Sequence, residues 1–158
     1  MRGHKMAWKP KLRPGTWVER TMFESRAFVA LKGCAAQVLI NFLGKRQFMR
    51  SGKKGKKHYD CINCNELTFT YLEAERKLAI TKPRLTRAID ELLAKGFLRI
   101  EHRGGAYQRD KTLYALSDEW LYWRPGSTVH RRPRDVHRGY QNRKAGMKAR
   151  AHLRQGTS

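Results

Sequence analysis

Cys61-Ile-Asn-Cys64 is the chain's single CxxC spacing. It suits metal ligation by two thiolates or a reversible dithiol–disulfide couple. A structural zinc ion takes four ligands, so Cys34, His58, Cys61 and Cys64 form one conceivable Cys3His set that would tether the loop between them. Two other readings stand beside it: a redox pair, and cysteines with no special chemistry. No thioredoxin-like βαβ pattern surrounds the pair, and Ala35 and Val38 suit Cys34 as a small buried apolar residue. The expectation is no metal and no cofactor. Ser51-Gly-Lys-Lys-Gly-Lys-Lys57 gathers Lys53, Lys54, Lys56 and Lys57, but lacks the G-x-x-x-x-G-K-[ST] order of a nucleotide-binding loop. Flexible lysines of this kind make sequence-blind phosphate contacts, or only keep a loop solvated. Arg84, Thr86 and Arg87 are the third group. An arginine fork matches the two acceptors of a guanine edge, and a threonine can meet a thymine methyl or a phosphate. Glu101 and His102 are neighbours on an extended segment and point to opposite faces, so they are no acid–base pair. The remaining carboxylates sit at spacings that capping and surface pairing explain, and the chain is not expected to be an enzyme.

The basic groups are unevenly spread. The 158 residues carry a formal net charge of +22, yet residues 58–123 hold ten Lys/Arg against ten Asp/Glu. The excess lies outside that stretch: +5 over residues 1–20, +7 over 45–57 and +9 over 124–158. A neutral core with basic appendages implies a partner rich in phosphates. No apolar run approaches the roughly 18–20 residues of a membrane span, and the basic N-terminus lacks the apolar stretch of a secretory signal. Three cysteines, only two of them close together, argue against a disulfide-stapled secreted domain. A cytoplasmic, nucleoid-associated protein is expected.

Periodicity supplies the elements that would position these groups. Residues 1–16, with Pro10, Pro14 and Gly15, read as an extended basic arm. Glu24–Leu31 is a short helical candidate stopped by Gly33. Ala35, Val38, Leu39, Phe42 and Leu43 fall on one face of a helix over Cys34–Lys45. Residues 45–57 read as a loop, the core of a basic insertion over 45–65, and Glu66–Phe69 as a short strand. Thr70-Tyr-Leu-Glu73 has capping-box spacing and opens a helix to about Leu78, with Leu72 and Leu78 inward. After a turn at Ile80-Thr81, Thr81 or Lys82 caps a helix over 82–95 in which Pro83 is tolerated. Leu85, Ala88, Ile89, Leu92 and Leu93 form its buried stripe, which turns Arg87 nearly opposite and Arg84 to the flank. Gly96 ends it, Phe97–Ile100 and Thr112–Leu116 make a two-stranded ribbon, and Ser117–Trp120 opens a last short helix. Trp120, Tyr122 and Trp123 read as a closing aromatic cluster or a dimer contact. Beyond Arg124 periodicity ends, so residues 124–158 are expected to be a basic tail, disordered when free, in which Gln141–Leu153 can fold as a basic helix on binding.

Short helix, tight turn, longer helix and ribbon is the order of a winged helix-turn-helix: mainly α with a small antiparallel β wing, here spanning 17–123. Its second helix can enter a major groove about 12 Å wide. Asn65–His102, with Phe23–Leu39 upstream and Thr112–Ser117 downstream, resembles the winged helix-turn-helix proteins of phages, plasmids and integrative elements. The long basic loop with its cysteine pair and the basic tail depart from that pattern. The resemblance implies a DNA-binding fold, used by transcription regulators and by replication accessory factors alike.

The expected partner is double-stranded DNA, and a homodimer is one possible assembly. Lys82, Arg84, Thr86 and Arg87 would face bases and nearby phosphates. The wing would add Arg103, Arg109 and Lys111, with Tyr107 on a sugar or phosphate, and the appendages Lys53, Lys54, Lys56, Lys57, Arg131, Arg132 and Arg134. Alternatives are an RNA-binding or ribonucleoprotein component and a protein-interaction module.

Overall fold

The computed structural model describes residues 15–104 and 110–133. Among them, short and medium α-helices combine with two separate two-stranded antiparallel sheets. The expected 24–31 helix is instead two single turns, α1 (Arg20–Phe23) and α2 (Arg26–Val29). Ser25 divides them because its hydroxyl accepts from the Phe28 amide at 3.1 Å and so starts α2 afresh.

Helix α3 (Ala35–Gly44) buries Ala35, Val38, Leu39, Phe42 and Leu43, the five positions that its periodicity singles out. The loop expected next is largely a hairpin, β1 (Phe48–Ser51) against β2 (His58–Cys61). Its reversal needs Gly52: at φ +95° a Cβ there would collide with the Lys56 carbonyl. The Glu66–Phe69 strand reduces to one bridge, in which Leu67 and Tyr114 exchange backbone hydrogen bonds of 3.0 and 2.8 Å.

In α4 (Tyr71–Leu78) the Thr70 hydroxyl accepts from the Glu73 amide at 3.2 Å, as the capping spacing requires. The Glu73 carboxylate, however, turns to Lys45 and Lys77. Leu72, expected inside, is exposed, and Ala74 is the buried residue of this helix. A left-handed Ala79 leads to α5 (Lys82–Ala94), where Thr81 holds the N-cap position without a side-chain capping bond, and Leu85, Ala88, Ile89, Leu92 and Leu93 are buried. Burying each of these leucines and isoleucines contributes about 1.5–3 kcal/mol.

Gly96 then reverses the chain at φ +77° into β3 (Leu98–His102), which pairs antiparallel with β4 (Leu113–Leu116). A 3-10 turn (Glu119–Tyr122) stacks Trp120 on Phe97, ring centres 5.9 Å apart. Of the expected aromatic cluster Trp120 is buried and Trp123 half-buried, while Tyr122 stands 83% exposed. The core lies between α3, α5 and the inner face of β4, where Phe42 meets Phe69 and Tyr114 edge-on.

Residues 124–133 correct the expectation of a free tail. The Val129 amide donates to Ala94 O (2.8 Å), satisfying an open carbonyl at the end of α5, and the His130 amide adds a second bond to Leu93 O (3.2 Å), which also accepts from the Gly96 amide. The segment is held by backbone groups, which leave no hydrophobic periodicity to read. Among the described residues no helix is long and apolar enough to cross a membrane.

Candidate nucleic-acid interface

The outward face of α5 has two shoulders, because residues 82, 86, 90 and 94 form one i, i+4 row and 84, 87 and 91 another. Arg84, Arg87 and Glu91 share their shoulder with Lys32 and Gly33 from the loop before α3. Cys34 fixes that loop from below, its buried thiol 3.7 Å from the Arg84 carbonyl. The acids nearest to Arg87 in sequence are both engaged elsewhere. Asp90 Oδ1 accepts from Arg132 Nε at 2.8 Å, and Glu91 Oε1 accepts from Lys95 Nζ at 2.9 Å and from the Lys32 amide at 3.0 Å. Both arginines are exposed, and neither guanidinium is hydrogen-bonded or ion-paired among the described residues.

On the other shoulder Thr86 is half-buried. Its hydroxyl donates to Lys82 O at 3.0 Å and lies 3.2 Å from the Tyr71 hydroxyl. Lys82 keeps its ammonium over the Tyr71 ring, 5.0 Å from the centroid. Arg132, expected on a free tail, lies against this row and bonds Thr86 O at 3.2 Å as well as Asp90. Burial opposes its charge, but Asp90 above all, with the Tyr114 and Tyr71 hydroxyls, outweighs that and holds the guanidinium above its ordinary value. Burial likewise pushes the Tyr114 hydroxyl up, although Arg132 draws it back in part.

Residues 128–133 therefore run between α5 and the β3–β4 hairpin. Lys111 shares a groove with Arg132, Tyr71 and Thr112. Arg131 shares a depression with Arg99 and Arg103 on the outer side of β3. Arg103 and Lys111, both exposed, thus sit at the loop end of the hairpin, just after β3 and before β4. His102 Nε2 is 2.7 Å from Asp110 Oδ1, and Glu101 pairs with Arg99. Arg109 with Tyr107, Arg134, residues 1–14 and the tail from residue 134 lie outside the described residues.

Lys53, Lys54, Lys56 and Lys57 crown the tip of the β1–β2 hairpin, all exposed. Its base is tied down at several points. The Gln47 amide donates to Asn63 Oδ1 at 2.8 Å, Asn63 Nδ2 donates to Lys45 O at 3.0 Å, and the Leu116 amide donates to Cys64 O at 3.2 Å. Lys45 reaches Glu73 at 2.5 Å and also the Thr68 carbonyl. Burial pushes the Glu73 carboxyl up, but hydrogen bonds and charge from Lys45 and Lys77 together hold it below the ordinary carboxylate range.

Cys61 and Cys64 are joined to each other as a disulfide, so they are not two unlinked loop cysteines. Cys34 is buried at the start of α3, so the four candidate zinc ligands are not brought together. Among the described residues no three His, Cys, Asp or Glu side chains gather into a metal-binding group. Residues that the sequence did not single out here are Lys32, Tyr71, Phe48 and Tyr59. Phe48–Ser51 shows no apolar alternation that would have marked a strand there.

No family model matches this chain, and neither a curated protein nor a solved structure matches it.

Proposed function

We propose that this chain is a DNA-binding protein with a winged helix-turn-helix core: α4, the turn at Ala79–Thr81 and α5 as the helix pair, β3–β4 as the wing. In this reading α5 enters a major groove and Arg84 and Arg87 discriminate base edges. Lys82, Arg103, Lys111 and Arg131 grip phosphates beside it, and the lysine-tipped hairpin and the basic termini add affinity that is blind to sequence. The chain acts as a binder and not as a catalyst, as a regulator of transcription or an accessory to replication on a mobile element. The observation that carries the reading is that Arg84 and Arg87 are unpaired among the described residues, on a helix whose own acids, Asp90 and Glu91, are committed to Arg132 and Lys95. An arginine kept only for stability would be expected to take one of those partners.

The test is selection from a randomised duplex pool, followed by fluorescence anisotropy, with the full chain and with Arg84→Ala/Arg87→Ala. Each bidentate arginine–guanine pair is worth about 1–3 kcal/mol, so the double variant should lose on the order of 30-fold or more in discrimination between selected and random duplex. An unchanged motif at unchanged affinity overturns the reading. Preference for structured RNA over every duplex would move the protein to the ribonucleoprotein class.

A further inference from the structure

The β1–β2 hairpin has two chemically different faces. Its register pairs Phe48 with Cys61, Met49 with Asp60, Arg50 with Tyr59 and Ser51 with His58. Directly opposed residues of an antiparallel pair project to the same side. One face therefore carries Phe48, Arg50, Tyr59 and the disulfide-bonded Cys61, and the other Met49, Ser51, His58 and Asp60. The ribbon's acid is turned away from the aromatic face and is engaged there by the Ser51 hydroxyl and by His58 at 3.2 Å. The aromatic face is left wholly cationic. Phe48 is 51% exposed and Tyr59 66%, and the Arg46 guanidinium lies 5.3 Å from the Phe48 ring centroid.

Two exposed rings on a ribbon within residues 45–61, a stretch of net charge +6, are not explained by folding, since neither belongs to the core. Phosphate contact alone does not explain them either, because lysines suffice for that. Rings paired with arginines and followed by lysines suit a ligand that offers flat π-faces along a polyanionic backbone. A duplex keeps its base faces stacked inside, whereas a single strand exposes them.

We infer that the Phe48/Arg50/Tyr59 face of the hairpin is a platform for single-stranded DNA. Bases stack on Phe48 and Tyr59, Arg46 and Arg50 flank them, and Lys53, Lys54, Lys56 and Lys57 follow the phosphates. The inference rests on the DNA-binding reading above for its choice of DNA over RNA, since the strand it takes would continue from the duplex held by α5. The anchoring of the hairpin base, through Asn63, Lys45–Glu73 and Cys64, holds the platform in a fixed relation to β4 and α4.

The experiment measures affinity of the full chain for a labelled oligothymidylate, an oligouridylate of equal length and the duplex selected above. Variants are Phe48→Ala/Tyr59→Ala and, as the conservative control, Tyr59→Phe. Base–aromatic stacking predicts a loss of about tenfold or more per ring on oligothymidylate for the alanine variant, and little change for Tyr59→Phe. The selected duplex should lose less than about threefold, with circular dichroism and melting unaltered because both rings are outside the core. Equal losses on single strand and duplex, or no loss on either, overturn the platform. So does tighter binding of oligouridylate than of oligothymidylate. The two readings fail separately: loss of duplex selection leaves the oligothymidylate comparison intact, and a flat oligothymidylate response leaves Arg84 and Arg87 untouched.

Discussion

Arg132 and Asp90 stand 42 residues apart in the chain and meet at 2.8 Å, with the second arm of the guanidinium on the Thr86 carbonyl. This contact makes residues 128–133 part of the folded unit and leaves Arg87 without its nearest acid. Arg132→Ala should cost about 1 kcal/mol or less, since Asp90 is half exposed and such pairs are screened. Its sharper signature is local. The amides of Val129 and His130, which cap α5, should exchange with deuterium markedly faster, while those of Leu92 and Leu93 within the helix stay protected. Unchanged exchange at both would mean that the backbone bonds hold the segment without the ion pair. Asp90, once released, should also weaken duplex binding in the variant, because a free carboxylate would lie beside the arginine pair.

Gly96 is where the longest helix turns into β3, and two constraints coincide there. Its φ of +77° is costly for any residue with a Cβ, and a Cβ would lie 2.9 Å from the Glu119 carbonyl carbon and the Trp120 nitrogen. Those atoms belong to the turn that stacks Trp120 on Phe97, so relief of the clash would loosen the aromatic lid of the core. Gly96→Ala should destabilise by about 2 kcal/mol or more in urea unfolding. A loss under about half a kcal/mol would show that this turn relaxes freely.

Glu73 links α4 to the hairpin base through Lys45 at 2.5 Å, while Lys77, on the same helix, adds a second cation at 2.7 Å. Its carboxyl is held below its ordinary value of 4.5 in the fold, so its contribution is present above that value and is lost as pH falls through the lower folded value. Acid titration should therefore weaken the attachment of the hairpin, read as faster exchange at Gln47 and Ile62, whose backbone groups pair across its base. Glu73→Gln should remove the acid dependence and cost about 1 kcal/mol at neutral pH. If the exchange at Gln47 and Ile62 follows the same pH profile in wild type and variant, the anchor lies elsewhere.

The parts legible in sequence are those whose stability comes from burying an amphipathic stripe. Val38, Leu39 and Phe42 on one helix, and Leu85, Ile89 and Leu92 on another, announce their faces because the core demands them. The outward direction of Arg84 and Arg87 follows from the same geometry. The β1–β2 ribbon buries neither face fully, so Phe48-Met-Arg-Ser51 shows no apolar alternation and reads as loop. The docking of 128–133 is invisible for a related reason: it depends on the carbonyls of Leu93 and Ala94 and on one arginine, none of which leaves a periodic trace. Leu72 misleads because a helix as short as α4 buries little beyond Ala74 and Leu78.

The hairpin lysines and the α5 arginines should separate by their salt dependence. Lys53, Lys54, Lys56 and Lys57 lie on an exposed tip, suited to phosphates of any sequence. Each phosphate contact on duplex DNA contributes close to 0.9 to the slope of log affinity against log salt, so changing all four to Gln should flatten the slope by up to about 3–4. Random and selected duplex should weaken in parallel, leaving their ratio unchanged. Arg84→Ala/Arg87→Ala should do the opposite: it collapses the ratio and shifts the slope by at most about 2, because base-edge bonds release no condensed counterions. Titrations from about 50 to 200 mM salt on both duplexes decide it. If the lysine variant loses discrimination and keeps its slope, the hairpin is the sequence reader, and α5 serves as its support.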